Sequence, residues 1–422
     1  MPVVMGLDIG GANTKACWLE IKDGQVIRVH GESIYYEVWR DPEGLYGVLE
    51  RLKGQAWRFG SGRAPGAVGL TMTAELCDVF TSKVQGVRLI LAAARQVFTG
   101  TPVYVWTLNG DFVSLAGAEE QPMEAAAANW LASATALARS SRVKDTTALL
   151  VDMGSTTTDI LPLSRGRVEV YGRTDVERLE RGELVYTGII RTPVNTITGS
   201  VFINGRPCRV TGEYFAITAD VYRFLGYIRE EDYVAAVPDN GARTPGGCAR
   251  RLARVVASEP EVLGWSGIYA VARYIVEKQI QQVTEAIWQV LSRSRGTNGI
   301  WCPASGHRML PRQGEEGGSR RFLGKEPPQM GPPGGRETGP GLTPEGQEPA
   351  KGWPPGWPRR LIMAGQGIFL LEQIAGRLGW EAIPWWELAP GSQGEIIDNG
   401  RWERYALTAY AVAWLLASQL ET

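Results

Sequence analysis

Histidine is scarce in this chain of 422 residues, which holds only His30 and His307. A Ser-His-Asp triad or a histidine-built metal centre therefore has almost nothing to be made from. The five cysteines (Cys17, Cys77, Cys208, Cys248 and Cys302) stand singly with no CxxC pair. That spacing argues against a zinc site and against a disulfide framework, and it fits a reducing, cytoplasmic setting. No apolar run approaches the roughly 20 residues that span a bilayer. The start, Met1-Pro2-Val3-Val4-Met5, has neither the basic region nor the apolar core of an export signal, so no membrane partner is expected. An excess of one charge is also missing: 44 Lys and Arg stand against 45 Asp and Glu, mixed along the chain. No basic face is offered to a nucleic acid. What remains is 44% hydrophobic, enough for two or three domains with their own cores.

Two stretches organise this chain. In Met5-Gly6-Leu7-Asp8-Ile9-Gly10-Gly11-Ala12-Asn13-Thr14-Lys15 an apolar strand runs into an acid, two glycines and a polar close. Residues 14–21 then alternate as a strand, so the glycines sit in a strand–turn–strand. That is neither a dinucleotide fingerprint nor a GxxxxGK[ST] phosphate loop. Glycine backbones can aim their N–H groups at an anion. Asp8 would repel that anion, and a Mg²⁺ with its waters between them would resolve the conflict. The second stretch, Asp152-Met153-Gly154-Ser155-Thr156-Thr157-Thr158-Asp159, repeats Asp, Gly and Thr at the same three positions after its own apolar strand, 147–152. A lone hairpin of this kind is a weak signal, since an ordinary tight turn can have the same residues. Two, each opening a half of the chain, predict a duplicated domain closing on one polyphosphate from both sides.

The rest of the chain reads as α/β. Helices are expected over 41–51, 84–98, 123–139, 246–257, 265–292 and 405–419, with strands at 26–31, 67–72 and 103–107. Acids near a strand end, in Thr71-Met72-Thr73-Ala74-Glu75-Leu76-Cys77-Asp78, are candidate site residues or solvated loop carboxylates. Arg191 is either an anion ligand or a surface charge. Glu213-Tyr214-Phe215-Ala216-Ile217-Thr218-Ala219-Asp220-Val221-Tyr222 at helical spacing would put Glu213 and Asp220 on one side, as paired carboxylates or as a solvated edge. Residues 295–360 hold twelve of the 25 prolines and bury too little to repay their ordering, so a disordered Pro/Gly-rich insertion is expected. After it, Ala364-Gly365-Gln366-Gly367 makes a glycine turn from strand to helix, where a flat group can approach the backbone. The expected divisions are 1–146, 147–294, the insertion at 295–360, and 361–422.

On the two Asp-x-Gly hairpins and the late Gly365-Gln366-Gly367 turn, the chain resembles the actin-like ATPase superfamily of sugar kinases, Hsp70 and actin. The resemblance implies two lobes of ribonuclease-H-like topology around a cleft. With Asp8 to Lys15 and Thr71 to Asp78 it looks like the hydantoinase/oxoprolinase branch. Adding Asn129-Trp130, the second hairpin and Glu213 to Tyr222, it resembles the tetrahydromethanopterin-linked C1-transfer pathway family, similar to the archaeal enzyme that makes the methanofuran core. That family joins the phenol of γ-glutamyltyramine to an aminomethyl-furan methyl diphosphate, releasing pyrophosphate. The chain departs from the family pattern at its insertion and at Ala74 and Cys77, where Gly and a smaller residue are expected.

The resemblance implies small-molecule substrates. The diphosphate would be held by Gly10, Gly11, Asn13, Thr14, Lys15, Gly154, Ser155, Thr156, Thr157 and Thr158, with Mg²⁺ held through water by Asp8 and Asp152. ATP is not expected as a cofactor. A phenol titrates near 10, so a base should assist, and Glu75, Asp78, Glu213 and Asp220 are the candidates. Two rivals differ in kind. An ATP-dependent small-molecule kinase would place adenosine at Gly365 and Gly367, and an ATP-dependent hydantoinase/oxoprolinase-like enzyme is the alternative that the branch implies. A nucleotide-gated scaffold would use the insertion as an interaction tail. Neither oligomeric state nor the exact substrate pair is legible.

Overall fold

Each of the two Asp-x-Gly segments opens its own mixed sheet. The structure, a computed structural model, describes residues 3–22, 25–293, 357–391, 395–396 and 406–420. In the first sheet β1 (Val3–Ile9), β2 (Asn13–Lys22) and β3 (Gln25–Tyr35) form an antiparallel meander. β4 (Ala67–Met72) joins β1 in parallel, β5 (Val103–Trp106) joins β4, and β6 (Phe112–Ser114) closes the edge antiparallel. The order is β3-β2-β1-β4-β5-β6, with Glu395–Ile396 pairing in parallel outside β3. In the second sheet β7 (Thr147–Met153) and β8 (Thr158–Ser164) are the hairpin, and β9 (Arg167–Val168) and β10 (Leu184–Val185) add to β8. A separate hairpin, β11 (Ser200–Ile203) with β12 (Arg206–Arg209), follows. β13 (Arg360–Gly365) then joins β7 in parallel and β14 (Glu381–Pro384) joins β13. Both sheets thus set the first strand of the hairpin between an antiparallel partner and later parallel strands. This is the duplicated ribonuclease-H-like order of the actin-like ATPase fold.

Strand alternation sends the apolar residues of β1 and β2 to two cores. Met5, Leu7, Ile9, Ala16 and Trp18 pack with the helices Leu45–Phe59 and Lys83–Val97. Val4, Cys17 and Leu19 face a second core shared with Leu150 of β7, Ile362 of β13 and the helices Asn129–Arg139 and Leu407–Leu420. The last helix lies very close to the first sheet: a Cβ on Gly6 would come 2.0 Å from the carbonyl oxygen of Ala409. Asp8 and Asp152 continue the rows that face this shared core, so the inner faces of both sheets end in a carboxylate.

Several elements differ from their sequence reading. The first helix starts at Leu45, because Asp41 accepts the Gly44 N–H in a preceding turn at 3.0 Å. The 123–139 segment is two helices, Pro122–Ala125 and Asn129–Arg139, broken where Ala127 takes φ 50°. The long helix extends back to Pro260 through a kink at Gly264 (φ 66°). The insertion read at 295–360, with Cys302 and His307, lies outside the described residues except for its last four positions. Among the described residues, no helix is long and apolar enough to cross a membrane.

Candidate active site

The two hairpins close in the same way. Gly10 donates its N–H to the carbonyl of Asn13 (3.0 Å), and Gly154 donates to Thr157 (2.9 Å). These two N–H groups are spent on the turns, which corrects their assignment as diphosphate donors. Among the described residues the N–H groups of Gly11 and Ser155 have no partner. Opposite positions on the strands pair Asp8 with Lys15 and Asp152 with Asp159.

A cavity of about 200 Å³ lies at the hairpin ends. From the expected site it is lined by Asn13, Lys15, Asp152, Gly154, Ser155 and Gly365, and from residues not anticipated by Ser33, Tyr35, Glu231, Asp232, Val234, Gln366 and Leu407. Lys15 Nζ stands 3.3 Å from Asp8 Oδ2, with Asp8 4% exposed and Lys15 29%. The other Asp8 oxygen, Oδ1, is buried without a partner, as is Gln366 Oε1. Burial pulls the Lys15 ammonium down, but Asp8, Asp152 and Asp159 together outweigh it and hold the ammonium above its ordinary value. Burial pushes the Asp152 carboxyl up to about 7; Asp159 and Asp8 add to this while Lys15 opposes it. One ammonium thus serves two carboxylates, and a further cation would be favoured there. Among the described residues no three His, Cys, Asp or Glu side chains converge as direct metal ligands.

Two expected ligands point elsewhere. Thr14 is buried on the Ala16 and Trp18 side of β2, opposite to Asn13 and Lys15, because strand side chains alternate. Thr158 is its counterpart: it is buried, and its hydroxyl donates to the Thr187 carbonyl at 2.7 Å. Neither reaches the cavity. Thr156 and Thr157 remain half-buried on the turn. The Gly365-Gln366-Gly367 turn lies against the second hairpin. A Cβ on Gly365 would meet the Met153 carbonyl at 2.3 Å and Asp152 Oδ1 at 2.5 Å, and one on Gly367 would meet the Met153 sulfur at 2.3 Å. Close packing on β7 accounts for both glycines.

The hydantoinase/oxoprolinase family matches residues 67–299. The (4-{4-[2-(gamma-L-glutamylamino)ethyl]phenoxymethyl}furan-2-yl)methanamine synthase of Methanocaldococcus jannaschii is 34% identical over 308 residues, which is 73% of this chain and 87% of that protein. The chain belongs to this synthase family. The synthase of the same name from Methanococcus vannielii is 38% identical over 115 residues, 27% of this chain and 51% of that protein, so this second match spans about half the relative's length. Among solved structures, the activator of the 2-hydroxyisocaproyl-CoA dehydratase from Clostridium difficile is 12% identical with a TM-score of 0.40, covering 100% of this chain and 98% of that one. That likeness adds nothing to the strand order already described.

In this member of the synthase family the four base candidates separate. Asp220 is fully buried, 2.8 Å from Arg251, and accepts from Tyr233 (3.0 Å) and from the Ile217 N–H (3.0 Å). It caps the helix Thr218–Phe224 and holds its fold; breaking such a pair costs about 3–5 kcal/mol. Glu213 is exposed in the loop before that helix, so the expected face shared with Asp220 does not exist. Asp78 is exposed as well. Glu75 is buried in the turn Ala74–Leu76, its Oε2 has no partner, and burial pushes its carboxyl up to about 7 against the nearby Lys83. Its loop lies on the first hairpin: Thr73 donates its N–H to the Ile9 carbonyl (2.9 Å), and a Cβ on Gly11 would meet Cys77 Sγ at 2.9 Å. Beside it Lys83 pairs with Asp175 at 3.0 Å, joining the loop's neighbourhood to the second hairpin's side. Trp130, of the Asn129-Trp130 pair, is buried core stacked by Arg178 at 4.3 Å.

Proposed function

We propose that this chain forms the aryl-alkyl ether of a methanofuran-type C1 carrier. The phenol oxygen of γ-glutamyltyramine attacks the methylene carbon of an aminomethyl-furan methyl diphosphate. The C–O bond to the diphosphate breaks, pyrophosphate leaves, and the phenol proton is released. The observation that carries this reading is the 34% identity to the synthase over 87% of that protein's length. The cavity between two glycine hairpins, with a lysine at its edge, supports it.

The leaving diphosphate is held by the Gly11 and Ser155 N–H groups, by Asn13, Thr156 and Thr157, and by the Lys15 ammonium. Charge neutralisation in a site prepared in advance is the main contribution such a transfer needs. Asp8 and Asp152 would hold a Mg²⁺ through water: the two carboxylates share the Lys15 ammonium, and Asp8 Oδ1 has no partner. When bound, that ion supplies further neutralisation of the leaving oxygens. Glu75 takes the phenol proton. We place the reaction in the cytoplasm, in tetrahydromethanopterin-linked C1 metabolism.

The test is incubation of the purified chain with both substrates and Mg²⁺, following pyrophosphate and the ether product by mass. Ether formation with stoichiometric pyrophosphate and no nucleotide is the expected result. Substrate-dependent ADP formation from ATP without ether would replace this reading by a kinase.

A further inference from the structure

Arg191 is half-buried, and among the described residues its guanidinium makes no ion pair. Its main chain is tied to the second hairpin: Ile190 and Arg191 both donate their N–H groups to the Ser155 carbonyl (3.0 and 2.9 Å), and Ile189 donates to Gly154 (3.0 Å). Gly188 lies so close that a Cβ there would stand 2.5 Å from the Thr156 nitrogen. Buried bonds support this segment from beneath. Gly188 donates its N–H to Thr192 Oγ1 (2.8 Å), and Gln279 Nε2 donates to Thr187 Oγ1 and to the Gly188 carbonyl (2.9 Å each). Tyr222 in turn donates to Gln279.

The side chain of Arg191 reaches a ring beside the other hairpin. Its guanidinium lies 4.4 Å over the ring of Trp39, and the neighbouring Val38 donates its N–H to the Gly11 carbonyl (3.0 Å). Tyr35, which lines the cavity, and Cys77, which touches the Gly11 position, both lie within the field of Arg191. The exposed rings of Tyr186 and Tyr214 lie in its field too. One cation therefore stands beside both turns.

We propose that Arg191 is a binding residue for the diphosphate leaving group, its guanidinium taking the terminal phosphate between the two hairpins. This rests on the ether-synthase reading. Stacking fixes the plane of the guanidinium and leaves its donors free, and a guanidinium fork matches phosphate oxygens in pairs. Holding it half-buried without an ion pair loses hydration that an arriving anion restores. The glutamyl carboxylate of the phenol substrate is the other anion in this chemistry. The tie to Ser155 on one side and, through Trp39, to Gly11 on the other favours the diphosphate.

The wild type, Arg191→Met and Arg191→Lys are titrated as full chains with inorganic pyrophosphate, and steady-state kinetics are measured with each substrate varied. Arg191→Met should weaken pyrophosphate binding and raise KM for the furan diphosphate by about 10- to 100-fold, leaving KM for γ-glutamyltyramine unchanged. Arg191→Lys should recover part of the loss. Unchanged pyrophosphate affinity in a folded Arg191→Met chain overturns the proposal. A KM rise confined to the phenol overturns it too and assigns Arg191 to the glutamyl carboxylate. Failure of the wild type to form ether overturns the synthase reading instead, while the pyrophosphate titration still decides the role of Arg191.

Discussion

Lys15 faces Asp8 across the first hairpin at 3.3 Å, and in the second hairpin the position of Lys15 is held by Asp159. The duplicated scaffold thus carries opposite charges at equivalent points. Asp159 is answered by the buried Arg178 at 2.7 Å, which leaves Lys15, among the described residues, as the cation between Asp8 and Asp152. Asymmetry of this kind makes one site out of two copies of a turn.

Asp152→Asn should separate stability from activity. The native carboxyl titrates near 7, above its ordinary 3.8, chiefly through burial. A folded-state pKa raised in this way favours the native state only while the group is protonated. The penalty for ionising it therefore builds from about pH 4 and is complete above pH 7. The asparagine variant should be more thermostable than the wild type at pH 8, with the gap closing towards pH 4. Its turnover should fall on the order of a hundredfold. Melting temperatures across that range check the first claim; a gap that does not change with pH would show that Asp152 is not the titrating group.

Lys15→Met removes the ammonium that Asp8 and Asp152 share. Three carboxylates, Asp159 included, hold the lysine above its usual value, so it stays charged through the neutral range and supports the native state there. Its loss should raise the Asp152 titration further and destabilise the chain most above pH 7, the reverse of Asp152→Asn. The double variant Lys15→Met with Asp152→Asn should recover part of the stability lost in the lysine variant. Strict additivity of the two changes would refute the coupling.

How much of this was legible follows from sequence distance. The hairpins are local, with Asp, Gly and Thr at matching positions, and their shared Gly-to-carbonyl closure needs no long-range contact. The turn of Thr14 and Thr158 away from the cavity and into the interior was also local, since alternation along β2 and β8 decides it. It was missed because a hydroxyl beside a glycine turn suggests a ligand. Asp220 is different: Arg251 and Tyr233, which take up its charge, lie on other elements, and no pattern near residue 220 announces them. Tyr35, Gln366 and Leu407 reach the cavity only because sheet pairing and the last helix bring them there.

Gly365→Ala should destabilise the fold sharply. Gly365 has φ +81°, and a Cβ would lie 2.3 Å from the Met153 carbonyl. The left-handed backbone alone costs about 1–2 kcal/mol for a residue with a Cβ, and the clash adds to it. Gly376, inside the helix Ile368–Leu378, has nothing within 4 Å of the corresponding position. Gly376→Ala should stabilise by about 0.5–1 kcal/mol. Denaturant midpoints of the two variants give the comparison. Equal effects would mean that Gly365 is not wedged against β7.

Glu75→Gln tests the base through the pH–rate profile. With its carboxyl near 7, Glu75 is protonated and inert as a base below neutrality and ionised above it. The wild-type kcat should therefore rise through pH 7. Asp152 titrates in the same region, so the rise alone does not identify the group. Glu75→Gln should lower kcat by about 10²–10⁴ and flatten the rise in kcat, with a smaller effect on KM for the diphosphate. Asp152→Asn should lower the rate yet keep the part of the rise that belongs to Glu75. If Glu75→Gln retains kcat within a few-fold and the same profile, the phenol proton leaves by another route. The buried, unpartnered Oε2 would then be a cost of seating the loop on Gly11.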